Sequence, residues 1–339
     1  MNSGSAKRNH LIAGLCSAAC LLWCLGFAAG QTAAPAKTTA KASAPPAAVR
    51  TFTSPQQAAD ALLKAAEEYD QDGLSEIFGI EGRDIVFTGE AAQDRQHALN
   101  FANAAHDKMT VTVDPKTGNR AFLLVGNDDW PFPVPLMKSE TKWFFDSKAG
   151  RQELLYRRIG ANEMDAIQIC HGYVEAQEEY ALQPRDGYSV NQYAQRIISS
   201  PDKHDGLAWQ NPDATWGGPI GEKIAKAIEQ GYSLDSEPYH GYFFRILKGQ
   251  GPAAPLGKMD YVIKGVMIGG FALVAAPAEY GVTGIQTFVV SQDGIVYEKD
   301  FGTKTVHALR NMELFDPDES WSPVSGQEIP EQDQNELGQ

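Results

Sequence analysis

Apolar positions along the chain fall into an opening run without charge, a stretch with nothing to bury, and two regions of mixed helical and strand periodicity. Leu11 to Ala29 is the uncharged run, and Lys7 and Arg8 precede it. Ser54-Pro55-Gln56-Gln57 then has the form of a helix start: a capping hydroxyl, a proline in the first turn and a glutamine that completes a capping box. Ala58, Ala59, Leu62, Leu63 and Ala66 follow at helical spacing. Leu74, Ile77 and Phe78 form a second short helical face. A third helix is expected over Asp94 to Met109, with Ala98, Phe101, Ala102 and Ala105 inward.

The period then drops to two. Thr110 to Val113 and Ala121 to Val125 flank Pro115-Lys116-Thr117-Gly118-Asn119, a hairpin signal. Trp130, Phe132, Val134 and Leu136 alternate with Pro131, Pro133 and Pro135. Three prolines remove amide donors from one edge, so this is an edge strand or an extended loop. A turn at Ser139 to Thr141 leads to Lys142-Trp143-Phe144-Phe145.

The second region opens with a long helix expected to start at an Asn162 cap and to end before Pro184. Its stripe is Met164, Ile167, Cys170, Tyr173, Val174, Gln177 and Tyr180 or Ala181. Short helices are expected over Asn191 to Ser199 and Pro219 to Gln230. Strands are expected at Tyr242 to Leu247, Tyr261 to Ile263, Gly270 to Ala275, Thr287 to Val290 and Ile295 to Tyr297. Asp293-Gly294 marks a tight hairpin between the last two. Helices followed by antiparallel strands, twice over, predict an α+β chain of two domains, about 50–155 and 160–325. The junction over Asp146 to Gly160 holds Gly150, Arg151, Arg157, Arg158 and Gly160, with the arginines expected to pair with acids.

Small residues at Ala28-Ala29-Gly30 place a cleavage site before Gln31, so residues 1–30 read as a secretory signal. An uncleaved anchor is the rival, since roughly 20 apolar residues span a bilayer. Lipidation at Cys20 or Cys24 is a third reading, against which stand the small Ser17-Ala18-Ala19 and the bulky Trp23. Ala33 to Val49 is Ala, Pro, Thr, Ser and Lys, and reads as a disordered linker over 31–50. An acidic tail follows over 326–339.

With the signal removed, 29 basic residues become 27 against 43 acidic ones, a net charge of −16 instead of −14. That balance disfavours nucleic acid and anionic lipid. Three of the four cysteines lie before residue 31, so Cys170 has no partner for an intrachain disulfide. The expected location is periplasmic or extracellular.

No Gly-x-Ser-x-Gly elbow, phosphate loop, dinucleotide turn or His-Glu-x-x-His occurs in the sequence. Asp70-Gln71-Asp72-Gly73 departs from a calcium loop, because the glycine comes early and Leu74 replaces an oxygen ligand. Cys170 and His171 are adjacent on a helix and point about 100° apart, so they form no dyad. No cofactor, metal or catalytic residue is therefore assigned. The binding candidates are Asp128, Asp129 and Trp130, a carboxylate pair beside an aromatic; Arg157 and Arg158 in the junction; and Trp209 and Trp216 in the Gly/Pro/Asp-rich segment Leu207 to Gly221. The expected function is non-catalytic binding of an envelope protein or small ligand. Membrane contact is expected only through an uncleaved signal. The alternatives are an envelope hydrolase using Asp128 and Asp129, and an accessory of a pilus or secretion machine.

Three resemblances add to this. The pattern of the first domain resembles the cystatin-like or nuclear-transport-factor-2-like cone, which implies a pocket. Asn162-Glu163, Ala176 to Tyr180, Gly241 to Phe244, Ala276 to Gly284 and Asp293 to Val296 resemble the globular heads of type IV pilins and pseudopilins. The departure is that a whole domain separates the apolar run from this helix. Asp128 to Pro133, Ala149 to Arg151, Arg157 to Glu163, Met267 to Val274 and Pro277 to Gly284 resemble the exported bacterial family called domain of unknown function 2950. That resemblance covers about 50 to 325 and implies neither an activity nor a site.

Overall fold

The structure is a computed structural model that describes residues 49–221 and 237–326. The expected signal, nearly all of the linker, most of the Pro219 to Gln230 helix and the acidic tail lie outside the described residues. Within them the fold is α+β, and the chain divides into two compact units, residues 49–160 and 161–326.

The first unit opens with α1 (Pro55–Glu67), α2 (Gln71–Phe78), α3 (Arg83–Val86) and α4 (Ala91–Asp107). Ser54 Oγ caps α1, accepting from the Gln57 amide at 3.1 Å, while Gln57 Oε1 accepts from the Thr53 amide at 3.0 Å. The glutamine therefore reaches one residue further back than a capping box expects. Ala65 takes the inward place expected for Leu63. Asp70 caps α2, accepting from the Gly73 amide at 3.0 Å, so Asp70 to Gly73 is a helix start.

Strands β1 (Met109–Val113), β2 (Arg120–Val125), β3 (Trp130–Pro131), β4 (Leu136–Ser139) and β5 (Lys142–Phe145) form an antiparallel sheet in the order β1-β2-β4-β5, with β3 also on β2. Asp114 shapes the β1–β2 turn, accepting from the Lys116 amide and the Thr117 hydroxyl. The proline-alternating segment is strand only at β3, then loop. Its Phe132 enters the aromatic core, 5.4 Å from Phe101, 6.1 Å from Phe145 and 6.2 Å from Phe78 between ring centroids.

A helix, α5 (Ser147–Tyr180), runs across the division between the units. The expectation of a loop-like junction and an Asn162 cap is therefore corrected. Asp146 starts the helix, its Oδ1 accepting from the Ala149 amide at 3.1 Å. Gly150 and Gly160 sit inside it, and each glycine costs only about 1 kcal/mol relative to alanine, which tertiary packing overrides.

In the second unit, α5 buries Ala166, Cys170, Tyr173, Val174, Ala176, Gln177 and Tyr180, while Met164 is exposed. The strands are β6 (Arg196–Ile198), β7 (Gly206–Gln210), β8 (Trp216–Gly217), β9 (Tyr242–Leu247), β10 (Gly249–Gln250), β11 (Met259–Asp260), β12 (Val262–Ile263), β13 (Val266–Met267), β14 (Ala272–Pro277), β15 (Gln286–Ser291), β16 (Val296–Asp300) and β17 (Ser322–Pro323). A further helix, α6 (Thr305–Asn311), precedes β17. The main sheet has the antiparallel order β17-β16-β15-β14-β9. Its strands β9, β14 and β15 are buried almost throughout, and they join the inward face of α5 in one apolar cluster.

The helix expected over Asn191 to Ser199 is absent. The Gln177 side chain, wholly buried, accepts from the Ala194 amide and donates to the Ala194 carbonyl, both at 2.8 Å. The Tyr193 amide donates to Met267, and residues 196–198 pair in parallel with β7. Those backbone groups are committed to extended partners, so no helix forms.

Candidate functional site

In the first unit, Asp128 and Asp129 lie in the turn that joins β2 to β3, and Trp130 opens β3. Asp129 has a left-handed backbone (φ 52°), which Asp tolerates better than most residues. Its carboxylate lies 2.7 Å from Lys108 Nζ, with both side chains nearly half exposed. Asp128 is exposed. Trp130 is half-buried, and the Arg157 guanidinium stands 5.0 Å above its ring. Arg157 reaches there from α5 and is held by two bonds, Nε to Glu153 Oε1 at 2.9 Å and Nη2 to the Pro131 carbonyl at 2.8 Å. Trp130 and Arg157 are thus brought together, with Asp129 next to Trp130 in the chain. Arg158, the next residue on α5, is exposed. Arg151 forks onto Asp84, both bonds 2.9 Å.

Trp209 and Trp216 lie in the second unit. The segment expected as a loop is a hairpin in which Trp209 pairs with Gly217 and Gln210 with Trp216. Asp213 closes its turn by accepting from the Thr215 amide and hydroxyl. Both indoles are half-buried. Trp209 lies 4.5 Å from the His204 ring and 5.0 Å from the Arg185 guanidinium, which also stands 5.2 Å from the Tyr180 ring. The Tyr180 hydroxyl donates to the His204 carbonyl. These contacts tie Trp209 to the end of α5, and the aromatic faces there already carry a cation.

One arrangement was not foreseen from sequence. His240 Nδ1 lies 2.5 Å from Asp165 Oδ2 on α5, and its ring packs tilted against Tyr239 with centroids 4.2 Å apart. His240 and Gly241 both have positive φ, in a two-residue turn closed by the Tyr239 and Tyr242 backbones. Nearby on α5, Glu163 Oε1 accepts from the amides of Ile285 and Gln286 at 2.8 and 3.0 Å, and Asn162 donates to the Thr283 carbonyl at 2.8 Å. The i, i+3 spacing of Asn162 and Asp165 was legible, but their partners lie far along the chain.

Cys170 is fully buried, and desolvation pushes its thiol up to about 12. That suppresses the thiolate a nucleophile needs. Among the described residues no group of three or more His, Cys, Asp or Glu side chains is placed to hold a metal ion. No described helix is long and apolar enough to cross a membrane.

A family model described as "Protein of unknown function (DUF2950)" matches residues 49–324. No curated protein and no solved structure matches the chain.

Proposed function

The chain belongs to this family of unknown function, and on that premise we propose that it is an exported, non-catalytic binding protein of the cell envelope. The observation that carries the reading is the Trp130–Arg157 pair. A half-buried indole capped by a guanidinium, itself fixed by Glu153 and Pro131, is a preorganised surface for a polar ligand such as a saccharide or a peptide. Two groups that sequence alone would put forward for catalysis are otherwise engaged: Asp129 is paired with Lys108, and the Cys170 thiol is sealed in the core. Asp128 and Arg158, both exposed, are secondary members of this surface in the first unit, and Trp209 and Trp216 are a separate, weaker candidate within the second unit.

Export rests on the charge, apolar run and small-residue site of residues 1–30. Intact mass of the recovered protein is expected to begin at Gln31; a membrane-embedded form retaining residues 1–30 would remove that part of the reading. The finer fold likenesses belong here too. Helices followed by an antiparallel sheet support a cone-like first unit, and the second half of α5 with an antiparallel sheet supports a pilin-like second one.

Binding is tested by following tryptophan emission while envelope saccharides and peptides are added. A saturable change is expected, weakened about fivefold in Trp130→Ala, since one stacked aromatic is worth about 1 kcal/mol. Asp129→Asn should leave it intact. Turnover of an envelope substrate that disappears in Asp129→Asn would overturn the non-catalytic reading.

One observation favours an enzyme as the second reading. Asp165 orients His240 in the way an acid orients a general base. Hydrolytic activity lost in His240→Gln but kept in Asp129→Asn would move catalysis to the second unit.

A further inference from the structure

Strand β1 ends the sheet of the first unit, and nothing pairs with its outer edge among the described residues. The bonds at its two ends give its phase. The Asp114 amide donates to the Arg120 carbonyl, and the Gly126 amide donates to the Lys108 carbonyl, both at 2.8 Å. In an antiparallel ladder every second residue turns both backbone groups toward the neighbour. Residues 108, 110, 112 and 114 therefore face β2. Met109, Val111 and Val113 turn three amides and three carbonyls outward.

Natural sheets guard such an edge with charges, prolines or bulges. Met109-Thr110-Val111-Thr112-Val113 has none of these, and its register with β2 is unbroken over all five residues. On the core side, the row Met109, Val111 and Val113 is only partly covered, with Val113 40% exposed.

We propose that β1 pairs antiparallel with β1 of a second copy of this chain, about a two-fold axis through Val111. The sequence around that residue is self-complementary. Val111 faces Val111 of the other copy, and Met109 faces Val113. All three outward amides and all three outward carbonyls of each copy are satisfied in this one register. Thr110 meets Thr112 on the open face, a favourable cross-strand pair, while the apolar rows of the two copies join on the core side. The same symmetry sets Lys108 of one copy opposite Asp114 of the other, opposite charges at each end of the pairing, although Lys108 already pairs with Asp129 and Asp114 with its own turn in each copy. A two-fold contact requires that each residue's partner see it in return, and this segment meets that condition. The pairing is independent of the ligand-binding reading above.

Sedimentation of the purified protein, as recovered after export, should show a monomer–dimer equilibrium between about 1 μM and about 1 mM, the range in which a small interface dissociates. Val111→Lys places like charges opposite each other at the axis and should weaken the dimer at least about tenfold. Val111→Thr should retain it. Both variants should keep the wild-type circular dichroism, because the Val111 side chain is only partly covered and a long lysine stem can reach solvent from there. Hydrogen exchange gives a reading without mutation. Amides of Met109, Val111 and Val113 should gain protection as concentration rises, while those of Thr110 and Thr112 stay protected throughout. A protein monomeric over the whole range, a dimer indifferent to Val111→Lys, or a dimer whose three outward amides gain no protection would each overturn the proposal.

Discussion

At the scale of single residues, two buried side chains show how surroundings set chemistry. Cys170 lies on the inward face of α5 in the same apolar cluster as Tyr173, Tyr242 and Phe288. Desolvation alone raises its pKa. Iodoacetamide should therefore modify the native protein slowly and the denatured protein fast. Cys170→Ser should cost about 1–3 kcal/mol by burying a hydroxyl, and Cys170→Ala a similar amount or less, measured by chemical denaturation. Asp94, in the first turn of α4, is also buried. Its Oδ1 accepts from the Thr88 amide at 2.8 Å and the Thr88 hydroxyl at 2.6 Å. Burial works to raise its pKa, but the bonds from Thr88 and Gly89 outweigh burial and hold the carboxyl below the usual carboxylate range. A group depressed in the folded state stabilises fully above its unfolded pKa and loses that contribution as pH falls through the folded one. Asp94→Asn should thus cost about 1–3 kcal/mol at neutral pH. The gap between variant and wild type should close as acid takes the pH below the usual carboxylate range. A gap independent of pH would show that the charge plays no part.

At the scale of elements, α5 is the instructive case. Its two early glycines have opposite surroundings. A Cβ on Gly150 would lie 2.6 Å from Val134 Cγ2, whereas one on Gly160 would meet nothing within 4 Å. Gly160→Ala should therefore stabilise by roughly 0.5–1 kcal/mol through helix propensity. Gly150→Ala should destabilise by about 1–3 kcal/mol, because overpacking exceeds that gain. Thermal midpoints moving in opposite directions check both. Sequence signals served well where an element is specified by its own neighbours. Ser54 caps its helix, and Asp293-Gly294 closes the β15–β16 hairpin with Gly294 at φ 74°. They failed at Asn162, whose side chain would suit a cap but instead donates to Thr283 within a continuing helix. They failed again at Asn191 to Ser199, where the Gln177 amide claims the backbone of Ala194.

At the scale of the whole molecule, residues 49–160 and 161–326 each hold their own sheet and buried core. Fragments cut at Gly160 should each unfold cooperatively in circular dichroism. If neither folds alone, the two cores are energetically one. Periodicity and turn chemistry were enough to read the α+β class, the longer strands of the two main sheets and the core position of Cys170. These are local properties, settled by residues within a turn or a hairpin of one another. Pairings across long stretches of chain were decided only by the tertiary structure. Arg157 over Trp130, Lys108 on Asp129, Asp165 on His240 and Arg185 between Tyr180 and Trp209 each satisfy a charge or cover a ring with a partner that sequence periodicity does not specify. Burial forces polar groups to find such partners, but which partner is within reach depends on where the packed elements have come to rest.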